Sequence, residues 1–316
     1  MSADAEIPAS GKPRLTLRLR RYGLDGRLAV IAAPALWLIF FFLAPLLVVL
    51  KIAFSTYALA RPPYEPLLAW TEQGVLQITL HISNFLRPIQ DPLFANAYLS
   101  SVQIAGVSTV ITLLIAYPMA WFIARSDEKY RNLLLMLVIL PFWTSFLLRV
   151  YAWMGFLGQN GVFNQLLQGL GLTDAPVQML YTPFAVYIGI VYTYLPFMVL
   201  PLYTTLVKLD QNLIEASADL GAKPFVTFLT VTLPLSMPGI IAGSMLVFIP
   251  AIGEFVIPSL LGGADTLMIG RVLWDEFFSG RNWPSAAAVA IMMLVLLLIP
   301  IMLLARAQNA VVEKGA

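Results

Sequence analysis

Six long apolar windows constrain this chain more than any other feature. They run over 28–50, 98–124, 133–157, 183–207, 236–261 and 285–305. Even the shortest matches the roughly 20 residues that a helix needs to cross a hydrocarbon core of about 30 Å. Inside lipid every backbone N–H and C=O must find a partner within the protein, which leaves helices and closed barrels as the spanning structures. Continuous apolar runs of this length select helices, so the expected fold is an all-α integral membrane protein with six transmembrane helices. Composition agrees: 59% of residues are hydrophobic and only 11% charged, against about a quarter charged in soluble domains.

The basic residues orient the spans. Residues 1–27 form a basic N-terminal tail carrying Lys12, Arg14, Arg18, Arg20, Arg21 and Arg27. The apolar run that follows exceeds the core of a signal peptide, about 7 to 15 residues, and reads as a retained first span. With six crossings, thirteen Lys and Arg fall on the side of the tail and five on the other. The positive-inside bias therefore places both termini, with the C-terminal tail 306–316, in the cytoplasm. Residues 28–305 form the transmembrane domain. The chain has no cysteine and one histidine, His81, which leaves no material for a thiolate metal site and little for acid–base work. His81 reads as a solvated loop residue. A net charge of +2 gives no reason to expect nucleic acid. No clustered nucleophile, base or metal set is present, so no catalytic residue and no metal site are assigned. No phosphate-binding Gly-x-x-x-x-Gly-Lys-Ser/Thr loop occurs either.

The longest polar-containing interval on the cytoplasmic side after the tail is 208–234. It reads as two short helices joined by a glycine. Asp210 suits an N-cap, Gly221 suits the left-handed residue that ends a helix, and Pro224 suits the first turn of the next. Leu209, Leu213, Ala216 and Leu220 share one stripe, while Lys208, Asn212, Glu215 and Asp219 lie on the neighbouring face. A short amphipathic element between two spans is shaped to lie across the membrane surface and press into a groove on a soluble partner.

Glu215-Ala216-Ser217, Gly221 and Val231-Thr232-Leu233-Pro234 resemble the EAA loop of ABC-importer permeases, with Ser217 replacing an alanine and Val231 an isoleucine. The resemblance implies that this loop is a coupling helix docking into a nucleotide-binding subunit, with Glu215, Ala216, Asp219, Gly221, Leu233 and Pro234 at the contact. Three further stretches, at 140–153, 189–201 and 243–258, resemble the polyamine branch of that family. The likeness implies type I ABC-importer permease architecture and uptake of putrescine or spermidine in a bacterial inner membrane. It implies as partners a second homologous permease, two copies of a cytoplasmic ATPase holding ATP and Mg, and a periplasmic polyamine-binding protein. This chain itself is expected to bind no cofactor.

One carboxylate sits inside a predicted span. Glu254 lies among Pro250, Gly253 and Pro258, which interrupt the fifth helix and free backbone carbonyls around it. Two readings stand side by side: a site for a cationic solute, or an ion pair with Arg149, the base predicted to lie within a span. Tyr151, Trp153, Tyr192 and Tyr194 are candidates for a solute path because aromatic faces attract ammonium groups. Trp and Tyr also collect at membrane interfaces for unrelated reasons. Gly239 and Gly243 would let another helix approach the start of span five. The outer segments 51–97, 158–182 and 262–284 are read as loops, with short helices in the first two. An ion-coupled transporter or channel for a cation, and an importer permease for another solute, are the alternatives.

Overall fold

The computed structural model describes residues 26–70, 76–264 and 266–314; all but the last two residues of the basic tail lie outside that set. Helix α1 (Gly26–Leu38) passes through a π turn, Ile39–Leu43, into α2 (Ala44–Ala53). The amide of Ala44 donates to Ile39 O, five residues back. Pro45 follows and brings no N–H, so the ladder must skip a carbonyl here, and one wide turn absorbs the defect without a break. The same device recurs at 228–232, where the amide of Leu233 reaches Phe228 O just before Pro234.

Beyond α2 the chain forms an isolated bridge between Tyr57 and Tyr64, then a small hairpin of β1 (Leu68–Trp70) and β2 (Leu76–Ile78) in antiparallel register, Leu68 opposite Ile78. Helix α3 (Ser83–Gln90) leads into α4 (Pro92–Arg125), started by Asp91, whose side chain accepts from the amide of Leu93 at 3.0 Å. Then come α5 (Glu128–Ile139), a 3-10 turn (Leu140–Trp143), α6 (Phe146–Leu157), α7 (Val162–Gly169) and α8 (Pro183–Leu206). The remaining helices are α9 (Gln211–Asp219), α10 (Pro224–Thr227), α11 (Leu233–Ile252), α12 (Val256–Leu260), α13 (Ile269–Trp274) and α14 (Trp283–Lys314).

The bundle is built on α8, which packs against α4 and α11. Of its most apolar window 61% is buried, against none of the first span, so α8 is the centre and α1 the periphery. Small residues set the closeness of these contacts. A Cβ at Gly239 would sit 2.6 Å from Thr205 Oγ1, and one at Gly243 would sit 2.7 Å from Met198 Sδ. The Gly-x-x-x-Gly face is therefore filled by α8 of the same chain, and no second protein is needed to explain it. Buried Thr109 and Thr112 return their hydroxyls to Ala105 O and Ser108 O, which settles these polar atoms within their own helix.

Among the described residues five helices are long and apolar enough to cross a membrane, and a bent pair makes six when counted as one span. The window 133–157 is not one straight helix: Glu128–Trp143 and Phe146–Gly169 meet at 89°. Pro141 removes a donor, and Thr144 and Ser145 adopt extended backbone between the two pieces. The last helix does not stop at 305 but runs to Lys314, while its apolar span ends at Met302, so the segment read as a C-terminal tail starts as helix.

The segment 262–284 is the largest departure from its reading as an outer loop. Met268 and Ile269 are fully buried, and both belong to the main core with Ile257, Leu261 and Val272. The amide of Ile269 donates to the buried hydroxyl of Ser101 on α4 at 2.8 Å. A run of three apolar residues, Leu267-Met268-Ile269, is too short to register as a span, and only packing reveals that it dives back into the bundle. The single histidine is likewise less free than a loop residue: His81 Nδ1 is 3.0 Å from Thr56 Oγ1 and its amide donates to Phe54 O, which ties the segment after β2 to the end of α2.

Candidate functional site

Two regions lie at opposite ends of one rod. At the first, Asp210 caps α9 by accepting from the amide of Asn212 at 3.0 Å. The helix ends at Gly221 with φ of 79°, where a side chain would be strained, and Pro224 opens the next helix. The second of the two short helices expected here does not exist as a separate unit. Pro224 begins a helical run that continues through the π turn Phe228–Thr232 into α11 and reaches Ile252. Leu233 and Pro234 consequently belong to the span. The helix α9 is fixed to this run by a hydrogen bond of 2.9 Å between Ser217 Oγ and Thr227 Oγ1, the latter buried. Sequence reasoning noted Ser217 only as a variant position of the EAA pattern, alongside Val231, and did not single out Thr227 as its partner.

The outward side of this element is apolar and uncovered. Leu213 is 47% exposed, Leu220 89% and Phe225 70%. Glu215, Ala216, Asp219 and Gly221 are exposed beside them. An amphipathic stripe that finds no core within its own chain marks a surface for another protein.

At the other end of the rod, α11 stops at Ile252, and Gly253, Glu254 and Phe255 form the break before α12. Glu254 is half-buried there, not enclosed in a continuous span. Its Oε2 accepts from the hydroxyl of Tyr194 on α8 at 2.7 Å. Its Oε1 accepts from the amides of Val256 at 3.1 Å and Ile257 at 3.5 Å, so the carboxylate also caps α12. Helix α13 closes over the break: Gly270 lies where a Cβ would come 2.4 Å from Gly253 O and 2.7 Å from Glu254 O, and Trp274 stacks on Phe255 at 4.2 Å.

Glu254 and Arg149 do not form an ion pair. Among the described residues the ion pair present is Arg87 with Glu276, 3.3 Å apart on the opposite face from α9. Arg149 is buried, its guanidinium lies over the ring of Phe142 at 4.7 Å, and its Nε has no hydrogen-bond partner. The carboxylate is already served by a hydroxyl and two amides, and the cation rests on ring faces. The residues that join the two neighbourhoods are Phe142 and Phe197, 5.0 Å apart, with Tyr194 a further 6.1 Å from Phe197. Sequence reasoning missed both phenylalanines, although the spacing of Tyr194 and Phe197 on one helix places them on one face.

Of the other aromatic candidates, Trp153 and Tyr192 meet at 5.4 Å, with Phe163 stacked on Trp153 at 6.2 Å. Tyr151 stands apart, 55% exposed on α6. The structure thus gathers Tyr194 with Glu254 and Trp153 with Tyr192, and leaves Tyr151 at the surface.

A central helix packed by two others, a broken span with a carboxylate at the break, and an uncovered amphipathic helix hydrogen-bonded to that span define a polytopic helical membrane unit. Residues 106–312 match the family model described as the binding-protein-dependent transport system inner membrane component, and the chain belongs to that family. It is 43% identical to the spermidine/putrescine transport system permease protein PotB of Haemophilus influenzae, over 88% of this chain and 92% of that protein. It is 38% identical to PotB of Escherichia coli, over 88% of this chain and 96% of that protein. The fold resembles a chain of a bacterial ABC transporter that imports the acidic polysaccharide alginate, with TM-score 0.66 and 18% identity, covering 94% of this chain and 99% of that one. It also resembles a chain of the inward-facing methionine ABC transporter MetNI, with TM-score 0.52 and 18% identity, over 69% of this chain and 96% of that one. The protein is therefore an ABC-importer permease, a transport component.

Proposed function

We propose that this permease, with a second homologous one, forms an alternating-access path for a polyamine, putrescine or spermidine, with Glu254 and Tyr194 in that path. The observation that carries the solute class is the 43% identity to a spermidine/putrescine permease across 88% of the chain. The acceptor at the break in the fifth span supports it. A carboxylate in a membrane helix is costly unless it serves a bundle interior or a watery path. Here its oxygens accept from neutral donors alone, with no cation paired to them among the described residues, and the ring of Phe197 beside Tyr194 extends the surface that an ammonium group would meet.

The drive enters through α9. A periplasmic polyamine-binding protein delivers solute, two cytoplasmic ATPases hold ATP and Mg, and the exposed stripe Leu213–Leu220 with Glu215 and Asp219 seats in one of them. Both termini then lie in the cytoplasm. The helical run Pro224–Ile252 contains 29 residues, about 43 Å at the α-helical rise. Ser217 and Thr227 fix α9 to its start, so closure of the ATPases moves a single rod whose far end is the Glu254 break. Coupling of this kind needs a stiff connection, and the π turn keeps the rod continuous where Pro234 would otherwise interrupt it.

The test is uptake of radiolabelled spermidine and putrescine by proteoliposomes holding the full complex with Glu254→Gln. We expect intact assembly, stimulated ATP hydrolysis, and uptake lowered by tenfold or more. Wild-type uptake and unchanged solute preference would remove Glu254 from the path.

A further inference from the structure

Away from α9, at the start of the last span, the outer segments enclose a cavity of about 570 Å³. Its walls include Arg61, Arg281, Phe277, Phe278 and Trp283. A smaller hollow of about 270 Å³ adjoins it and shares Arg61 and Arg281. No carboxylate lines either space, and neither arginine joins an ion pair among the described residues.

The walls are set before anything binds. Phe277 and Trp283 are stacked, 4.9 Å apart and 6° from parallel, and Tyr64 approaches Trp283 at 6.2 Å. Arg281 is held at φ of 50°, between amides of Gly280 and Asn282 that donate to Asp275 O and Glu276 O at 2.8 and 2.9 Å. Its neighbours thus fix the backbone of the loop that carries one guanidinium.

The level of the cavity in the molecule decides its occupant. Trp283 is the first residue of α14, and the segment carrying Arg61 follows α2, which ends at Ala53. These helices pack together, so both walls leave the hydrocarbon at about the same height. Trp and Tyr at span ends sit among lipid headgroups, and a guanidinium at that level is in reach of headgroup phosphate oxygens. An apolar aromatic floor beside two guanidiniums matches an amphiphile with one anionic group, whereas an acidic side chain from a docking protein would leave Phe278, 54% exposed, uncovered.

We infer that this cavity binds an anionic phospholipid. Arg61 and Arg281 hold the phosphodiester oxygens, for which the guanidinium fork is suited, and the glycerol and first methylenes lie on Phe277, Phe278 and Trp283. The site is independent of the solute path, so it stands even if Glu254 proves to have no part in transport.

The test is native mass spectrometry of the assembled transporter, stripped of lipid and titrated with phosphatidylglycerol or phosphatidylcholine. Wild type should retain one more phosphatidylglycerol than Arg61→Gln/Arg281→Gln, with each single variant weakened about fivefold, and should show no such preference for phosphatidylcholine. Lys51→Gln removes a cation in the last turn of α2 outside the cavity, and should leave retention unchanged. Equal retention by wild type and the double variant overturns the site. Equal loss in Lys51→Gln assigns the effect to diffuse charge and overturns it too. Displacement of the lipid by free glycerol phosphate at matched concentration would show a soluble-anion pocket. Unchanged lipid retention with lost stimulation of ATP hydrolysis by the binding protein would make the cavity a docking socket.

Discussion

Replacing Gly270 by alanine should loosen the closure over Glu254 while leaving the rest of the bundle in place. The new Cβ would lie 2.4 Å from Gly253 O and 2.7 Å from Glu254 O. Both obstacles are backbone, so no side chain can swing away; either α13 withdraws or the break shifts, by about 1 Å to restore van der Waals contact. Withdrawal drags the fully buried Met268 and Ile269 and separates Trp274 from Phe255. Overpacking of this kind costs roughly 1–3 kcal/mol. Stretching the bond from the Ile269 amide to Ser101 leaves a buried donor short of its partner, which adds roughly 1–3 kcal/mol. The sum, about 2–6 kcal/mol, falls on the element that closes over Glu254. The variant should insert and assemble, melt at a lower temperature in detergent, and lose most spermidine uptake. Gly106→Ala is the control, because nothing lies within 4 Å of the Cβ it would add; it should be neutral or stabilising by up to about 1 kcal/mol. If Gly270→Ala melts and transports like wild type, the closure of α13 on the break plays no part in function and the packing argument fails.

Tyr194→Phe removes the hydroxyl that donates to Glu254 at 2.7 Å and should destabilise by about 1.5–3 kcal/mol, the usual value for a bond to a charged group; a polyamine uptake assay should show altered affinity for solute, and unchanged affinity would place the pair outside the path. Leu220→Ser strips an 89% exposed leucine from α9. It should leave the permease fold intact but weaken ATPase association by about 1.5–3 kcal/mol, the worth of burying such a side chain, as measured by co-purification of the subunits. Arg149→Met removes a guanidinium that has no carboxylate partner among the described residues, so thermal stability should change by less than about 1.5 kcal/mol; a loss of about 3–5 kcal/mol, as for breaking a buried pair, would show that Arg149 has an acidic partner in the assembled complex.

Much of the architecture can be read from pattern alone, and the reasons are local. A polar backbone in lipid leaves no choice but helix, so an apolar window such as 183–207 places its span to within a few residues. The fifth, read as 236–261, instead runs over Pro224–Ile252, because its start is carried through polar residues and its end is cut by the break at Gly253. Asp210 and Gly221 announce the limits of α9 because capping and left-handed backbone depend on one or two residues each. Pro250 and Gly253 announce a break near Glu254 for the same reason. The helix α9 was legible because its stripe, its glycine and its capping residue all lie within a single stretch.

What the sequence could not decide is who meets whom. Pairing Glu254 with Arg149 follows charge, the only rule available without coordinates, yet the carboxylate goes to Tyr194 and two amides while the cation rests on Phe142. Gly239 and Gly243 announce a close helix contact without saying that its other side is α8 of the same chain. Proline marks a defect but not its repair: Pro141 precedes an 89° bend, whereas Pro234 is absorbed in a π turn and the rod stays whole. The re-entry of 262–284 carries no periodic signal, since three buried residues suffice to anchor it in a core built by other helices. Helix existence and helix ends are set by interactions within a few residues and by the solvent around them, and these the sequence by itself determined. The partners of Glu254, the fate of each proline and the closure by α13 depend on contacts between residues tens to hundreds of positions apart, and only the tertiary structure decided them.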